Sequence, residues 1–106
     1  MGKVKIVLSN EVISFLDDCD EKLRVKILRK VEYVKEFGLS RYIPDLKKVK
    51  GSPFWELRVL GKNNVRLFCL SKRDNVWVIY AFFKKSRKTD SKEIRTAERI
   101  LKKLDL

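Results

Sequence analysis

Glu56, Arg58 and Arg66 fall in two neighbouring strand-like runs, Phe-Trp-Glu-Leu-Arg-Val and Asn-Val-Arg-Leu-Phe-Cys-Leu, at positions where packing alone would put no charge. A third run, Val-Trp-Val-Ile-Tyr-Ala-Phe-Phe, leads straight into Lys84 and Lys85. Successive side chains of a strand point to opposite sides of a sheet. Sorted on that rule, Trp55, Leu57 and Val59 join Val65, Leu67 and Cys69 on one apolar face. Glu56, Arg58 and Arg66 then share the other, with Lys84 or Lys85 turned toward them. One carboxylate among guanidinium and ammonium groups suits a definite reaction. Cleavage of RNA through its own 2′-hydroxyl needs a base for that hydroxyl, cations for the pentacoordinate phosphorane and an acid for the departing 5′-oxygen. Glu56 fits the base. Arg58 and Arg66 fit bidentate phosphate contacts, and Lys84 or Lys85 fits the charge at the leaving oxygen. The competing structural account is a Glu56–Arg58 or Glu56–Arg66 cross-strand ion pair decorating a solvated sheet face.

Composition limits the other possibilities. A chain of 106 residues holds one domain, residues 1–106, with a single core between a sheet and helices. Lys and Arg number 26 against 14 Asp and Glu, a net charge of +12 that calls for a polyanionic partner: nucleic acid, an acidic protein or an anionic membrane. The membrane fits worst, because no apolar run approaches the ~20 residues needed to span one. The start Met-Gly-Lys-Val-Lys-Ile offers neither a signal-peptide core nor the Ser/Thr of a myristoylation site, so the expected location is cytoplasmic. Histidine is absent, which removes the usual Cys/His zinc site, a Ser-His-Asp triad and a histidine general acid. No metal or cofactor is expected. Cys19 and Cys69 lie in apolar runs and read as buried free thiols.

The elements that must position the charges follow from spacing and caps. A first strand is expected from Lys3 to Leu8, then a helix from Glu11 to Asp18 capped by Ser9 or Asn10. Asp20 caps a second helix from Glu21 to Phe37, with Leu23, Ile27, Val31 and Val34 on its inner stripe, Leu28 widening it and Gly38 ending it. The two form an αα-hairpin on which Lys22, Arg24, Lys26, Arg29, Lys30 and Lys35 read as a solvated surface. Pro44 breaks the pattern, and Leu46 to Lys50 reads as a short edge strand. Strands from Phe54 to Leu60, Asn64 to Leu70 and Val76 to Phe83 form an antiparallel meander through Gly61-Lys62-Asn63 and Lys72-Arg73-Asp74-Asn75. Ser91 caps a last helix from Lys92 to about Leu104, with Ile94, Ala97, Ile100, Leu101 and Leu104 inward. The class is α+β: N-terminal strand and helical hairpin, antiparallel meander, C-terminal helix. Trp55 and Trp77 read as core. One of Phe68, Phe82 and Phe83 would stack on a nucleobase if it shares the charged face. The run Lys84-Lys85-Ser86-Arg87-Lys88 is a strong local cation.

In this order of elements the chain resembles the RelE/ParE toxin superfamily. Phe-Trp-Glu-Leu-Arg-Val, Val-Arg-Leu-Phe and Phe-Phe-Lys-Lys-Ser-Arg-Lys-Thr resemble its phage-derived, HigB-like branch, and Glu93-Ile94-Arg95-Thr96-Ala97-Glu98-Arg99 suits that branch's last helix. The resemblance implies a RelE-like fold and the toxin of a type II toxin-antitoxin system. Its activity would be that of an mRNA interferase, an endoribonuclease cutting messages in the ribosomal A site. The implied partners are a cognate antitoxin, in this branch usually a HigA-like helix-turn-helix protein, with mRNA and the ribosome. Arg66 matches the arginine that contacts the scissile phosphate. Glu56 and Arg58 match strand positions that are lysines in RelE itself, and a glutamate base is closer to the YoeB arrangement. Lys84 and Lys85 match the basic pair after the last strand. The expected catalytic set is Glu56, Arg58, Arg66 and Lys85; the RNA contacts are Lys84 with Arg87 and Lys88 of the basic run and Phe83 of the aromatic candidates. RelE's late tyrosine has no equivalent, since Ser91 lies near that position, and the histidines of several relatives are missing; Lys85 or the ribosome is left to supply the acid. Two other readings stand beside this one: a ParE-like non-enzymatic inhibitor of DNA gyrase, and an inactive relative that only binds an antitoxin. A gyrase binder gives no reason for charges to gather on a strand face.

Overall fold

Caps and stripes of the sequence reappear as local structure in a computed structural model that describes residues 4–62, 64–85 and 91–106. The elements are β1 (Lys5–Leu8), α1 (Asn10–Asp18), α2 (Glu21–Phe37), β2 (Leu46–Lys48), β3 (Trp55–Val59), β4 (Val65–Lys72), β5 (Asn75–Phe83) and α3 (Ser91–Leu104). The class is the expected α+β, consistent with a RelE-like fold. Lys3, Asn63, Ser86, Arg87 and Lys88, which entered the expectations above, lie outside the described residues.

Ser9 is buried and caps α1: its Oγ accepts the Val12 N–H at 3.1 Å and donates to the Ile79 carbonyl at 2.6 Å. Asp20 caps α2, its Oδ1 accepting the Leu23 N–H at 2.8 Å. At the other end Gly38 adopts φ 71, a left-handed conformation natural to glycine, and its N–H donates to the Val34 carbonyl at 2.7 Å. Arg24 departs from the solvated reading. Its Nε donates to the Leu16 carbonyl at 2.9 Å and its Nη2 to the Cys19 carbonyl at 2.8 Å. A helix C-terminus leaves its last carbonyls without intrahelical donors, so Arg24 closes the hairpin by satisfying them.

The strands form a five-stranded sheet in the order β1-β5-β4-β3-β2, with β1 parallel to β5 and every other pair antiparallel. The β4–β5 hairpin reaches further than expected, pairing Lys72 with Asn75. Only Arg73 and Asp74 remain in the turn, at φ 53 and 66, as the favoured two-residue hairpin geometry requires. Register slips once. Phe68 pairs with Tyr80 but Cys69 with Val78, so Ile79 is an extra residue in β5. The bulge turns Ile79 and Tyr80 to the same side of the sheet, where both join the cluster under α3.

In place of the single core expected from chain length, two result, one on each side of the sheet. Leu57, Val59, Val65, Leu67, Cys69, Val78 and Ala81 meet the inner stripes of α1 and α2. Phe54, Phe68, Leu70, Ile79 and Phe82 meet Ala97 and Ile100 of α3. Trp55 packs on the first cluster and Trp77 on the second, so both serve packing as expected. Cys19 and Cys69 are buried free thiols, and burial pushes the Cys69 thiol up to about 12. Among the described residues no helix is long and apolar enough to cross a membrane.

Candidate functional site

Register assembles the charges. Glu56 on β3 stands opposite Lys47 on β2 and Phe68 on β4, and Arg58 stands directly opposite Arg66. Arg66 in turn faces Phe82 on β5. Lys84, just past the end of β5, prolongs the ladder: its N–H donates to the Asn64 carbonyl at 2.7 Å. Residues opposite each other in an antiparallel pair share a face. Lys47, Glu56, Arg58 and Arg66 are therefore on the α3 side of the sheet, beside Phe54, Phe68 and Phe82.

That face is not the solvated surface of the structural account. Glu56 is 0% exposed and Arg66 5%. Arg66 Nε lies 3.7 Å from Glu56 Oε1, and Arg66 Nη1 donates to the Val65 carbonyl at 3.2 Å. The Phe54 and Phe68 rings stack at 5.5 Å, and Phe82 meets Phe68 edge-on at 5.1 Å, forming the apolar flank. Placing two guanidinium groups directly opposite each other opposes stability. Burying an ion pair seldom improves it. An arrangement that packing alone would discard is a candidate for function.

The field of the cluster acts on its members. Burial holds the Arg66 guanidinium below its usual value; Arg58 pushes the same way, while Glu56 and Asp45 oppose. The Lys84 amine is likewise lowered from 10.5, chiefly by burial. Glu56 resists that shift, and Arg66, Lys47 and Arg58 add to it. An ammonium made more acidic is a better proton donor near neutral pH. Among the described residues Glu56 thus stands among four cations, Lys47, Arg58, Arg66 and Lys84, with the Asp45 carboxylate acting on Arg66 beside them. The local potential attracts a phosphate and repels a divalent cation. Among the described residues no group of three or more His, Cys, Asp or Glu is placed to hold a metal ion.

Of the residues singled out by sequence, Glu56, Arg58, Arg66 and Lys84 come together. Lys85 is exposed, and its neighbour Lys84 is the lysine whose amine lies in the field of Glu56 and Arg66. Phe83 is turned to the opposite side, its ring 5.0 Å from Phe15 of α1, and so is not brought to the cluster. Phe82, at 7% exposure, is the phenylalanine beside Arg66. Arg87 and Lys88 lie outside the described residues. Sequence reasoning missed Lys47. The alternation Leu46 buried, Lys47 and Lys48 exposed, carries no facial information until β2 is registered on β3. It also missed Asp45, which immediately precedes β2 at φ 67, accepts the Arg58 N–H on its carbonyl at 2.8 Å and accepts Lys30 Nζ on its Oδ2 at 3.0 Å.

Residues 14–102, a span that contains the whole cluster, match the family model described as Phage derived protein Gp49-like (DUF891). No curated protein matches the chain.

Proposed function

The chain belongs to the Gp49-like family of phage-derived proteins, and from that premise we propose that it is a type II toxin acting as an mRNA interferase. The family is associated with toxins of RelE-like type. In this reading the substrate is mRNA on the ribosome in the cytoplasm. The partner that restrains the toxin is a HigA-like helix-turn-helix antitoxin.

The mechanism needs no metal. Glu56 takes the proton of the RNA 2′-hydroxyl, and that oxygen forms a bond to the adjacent phosphorus. Arg66 and Arg58 hold the non-bridging oxygens as negative charge grows in the phosphorane. The bond from phosphorus to the 5′-oxygen breaks, and Lys84 gives that oxygen its proton. The products are a 2′,3′-cyclic phosphate and a 5′-hydroxyl. Lys84 is preferred to Lys85 as the acid because its amine shares the field of Glu56 and Arg66. Glu56 has no exposed surface, so in this reading the side chains that enclose it must move before substrate reaches it. The observation that carries the reading is the buried Glu56–Arg66 pair with Lys84 in its field and Arg58 opposite Arg66.

The same burial gives a second reading some support. A fully enclosed Glu56 ion-paired to Arg66 also suits a structural clasp in a ParE-like gyrase inhibitor or an inactive antitoxin-binding relative. Mapping RNA 5′ ends shortly after induction separates them. The parent should create new ends within translated frames, and Glu56→Gln should reduce them by about 10²- to 10⁴-fold, the usual worth of a general base. Growth arrest that survives Glu56→Gln without new ends would move the reading to gyrase.

A further inference from the structure

We propose that Lys47 binds the phosphate on the 5′ side of the nucleotide whose 2′-hydroxyl attacks, so that the message crosses the strands with its 5′ end over β2 and its 3′ end over β5. This rests on the ribonuclease reading and adds to it a polarity and a further substrate contact.

The argument starts from the order of groups across the sheet. Lys84 follows β5, Arg66 is on β4, Glu56 and Arg58 are on β3, and Lys47 is on β2. Neighbouring strands are spaced at about 4.7–4.9 Å, so this row spans about 14 Å across the strands alone, wider than one phosphodiester group. Chemistry orients what fills it. The acid at the departing 5′-oxygen marks the downstream nucleotide, which places that nucleotide toward β5. The base at the 2′-hydroxyl marks the upstream nucleotide, which places it toward β3. Continuing past Glu56 in the same direction, the next cation met is Lys47, and the next anion in the message is the phosphate 5′ to the upstream nucleotide.

Lys47 is suited to that contact. It is exposed, yet its strand position puts it on the face of a carboxylate that is wholly enclosed. Its charge is felt at the Lys84 amine, so the two ends of the row belong to one electrostatic unit. Its neighbour Lys48 serves differently: on the opposite face, its Nζ lies 6.0 Å from the centroid of the Trp55 ring. The competing account of Lys47 is an edge-strand charge that merely discourages pairing with another chain.

The test is cleavage of a short synthetic mRNA on ribosomes by the full-length protein, with toxin concentration varied. Lys47→Ala should raise the half-saturating toxin concentration on the order of tenfold while leaving the maximal rate nearly unchanged, the signature of lost uniform binding. Lys47→Arg should restore it, and Lys48→Ala should resemble the parent. On a message carrying a neutral methylphosphonate just 5′ to the cleaved nucleotide, parent and Lys47→Ala should become equal. A Lys47→Ala protein that matches the parent on the native message, or differs from it equally on both messages, overturns the proposal while the ribonuclease reading stands. A parent that cuts no message overturns the reading, and the proposal with it.

Discussion

The two faces of this sheet are built from the same three strands and do different work. Under α1 and α2, Leu57, Val59, Val65 and Leu67 meet with no charge among them. Under α3, Phe54, Phe68 and Phe82 share β3–β5 and their flanks with Glu56, Arg58 and Arg66. A pleated strand must send alternate side chains to opposite sides, so one face can be given to packing and the other to charge within a single run of residues. The second face keeps its shape because aromatic rings wall in the ions. It also carries the features that oppose stability, an enclosed carboxylate and two facing arginines.

The largest effect that separates the faces comes from two neighbours on β4. Leu67→Ala should cost about 2–5 kcal/mol and Phe68→Ala about 3–5 kcal/mol, read by urea unfolding. Cleavage normalised to the folded fraction should fall only for Phe68→Ala, whose ring flanks the ions. An equal loss of normalised activity in Leu67→Ala would show that the faces are not separable.

A smaller effect runs in the opposite direction. Removing one of two facing like charges relieves repulsion, so Arg58→Ala should leave stability unchanged or raise it by roughly 0.2–1 kcal/mol. RNA binding should weaken in the same variant. If both stability and binding drop, Arg58 is a packing residue and the contrast loses force.

The subtlest effect is in pH dependence. The Lys84 amine is lowered from 10.5 in the folded protein, so just below 10.5 the folded state holds fewer protons than the unfolded one. Stability gains a rising component as pH climbs from the lowered value to 10.5. Lys84→Met should lack that component. The difference between the two stability curves isolates it from Cys69, whose raised value acts in the opposite sense, favouring the folded state below 9.0 and losing that advantage as pH rises toward about 12. A difference curve that is flat in pH would mean that Lys84 is not held in the cluster's field.

Much of the architecture was legible because its signals are short-range. The helix Glu21–Phe37 has its cap one residue before it, its stop one residue after it and its stripe between them. The charged and apolar sets of β3 and β4 were sorted correctly by alternation alone. What local pattern leaves open involves partners distant in sequence. Nothing local shows that the Arg24 guanidinium reaches the carbonyls of Leu16 and Cys19. The side of the sheet that Phe83 takes depends on the α1 ring it meets, Phe15, which no local pattern reveals. Lys47 went unnoticed because a three-residue edge strand has no face until it is paired.

By itself the sequence determined the order of elements, the α+β class, the apolar face of the meander and the charged residues that gather on its other face. These are set by periodicity, caps and alternation, interactions confined to a few residues along the chain. Only the tertiary structure decided that β1 lies parallel beside β5, that a bulge at Ile79 turns two successive residues under α3, and that Glu56 is enclosed rather than solvated. It also decided which of two adjacent lysines joins the cluster. Register and enclosure depend on how separate segments meet, and a strand's own residues specify only that their side chains alternate, not what will stand on either side.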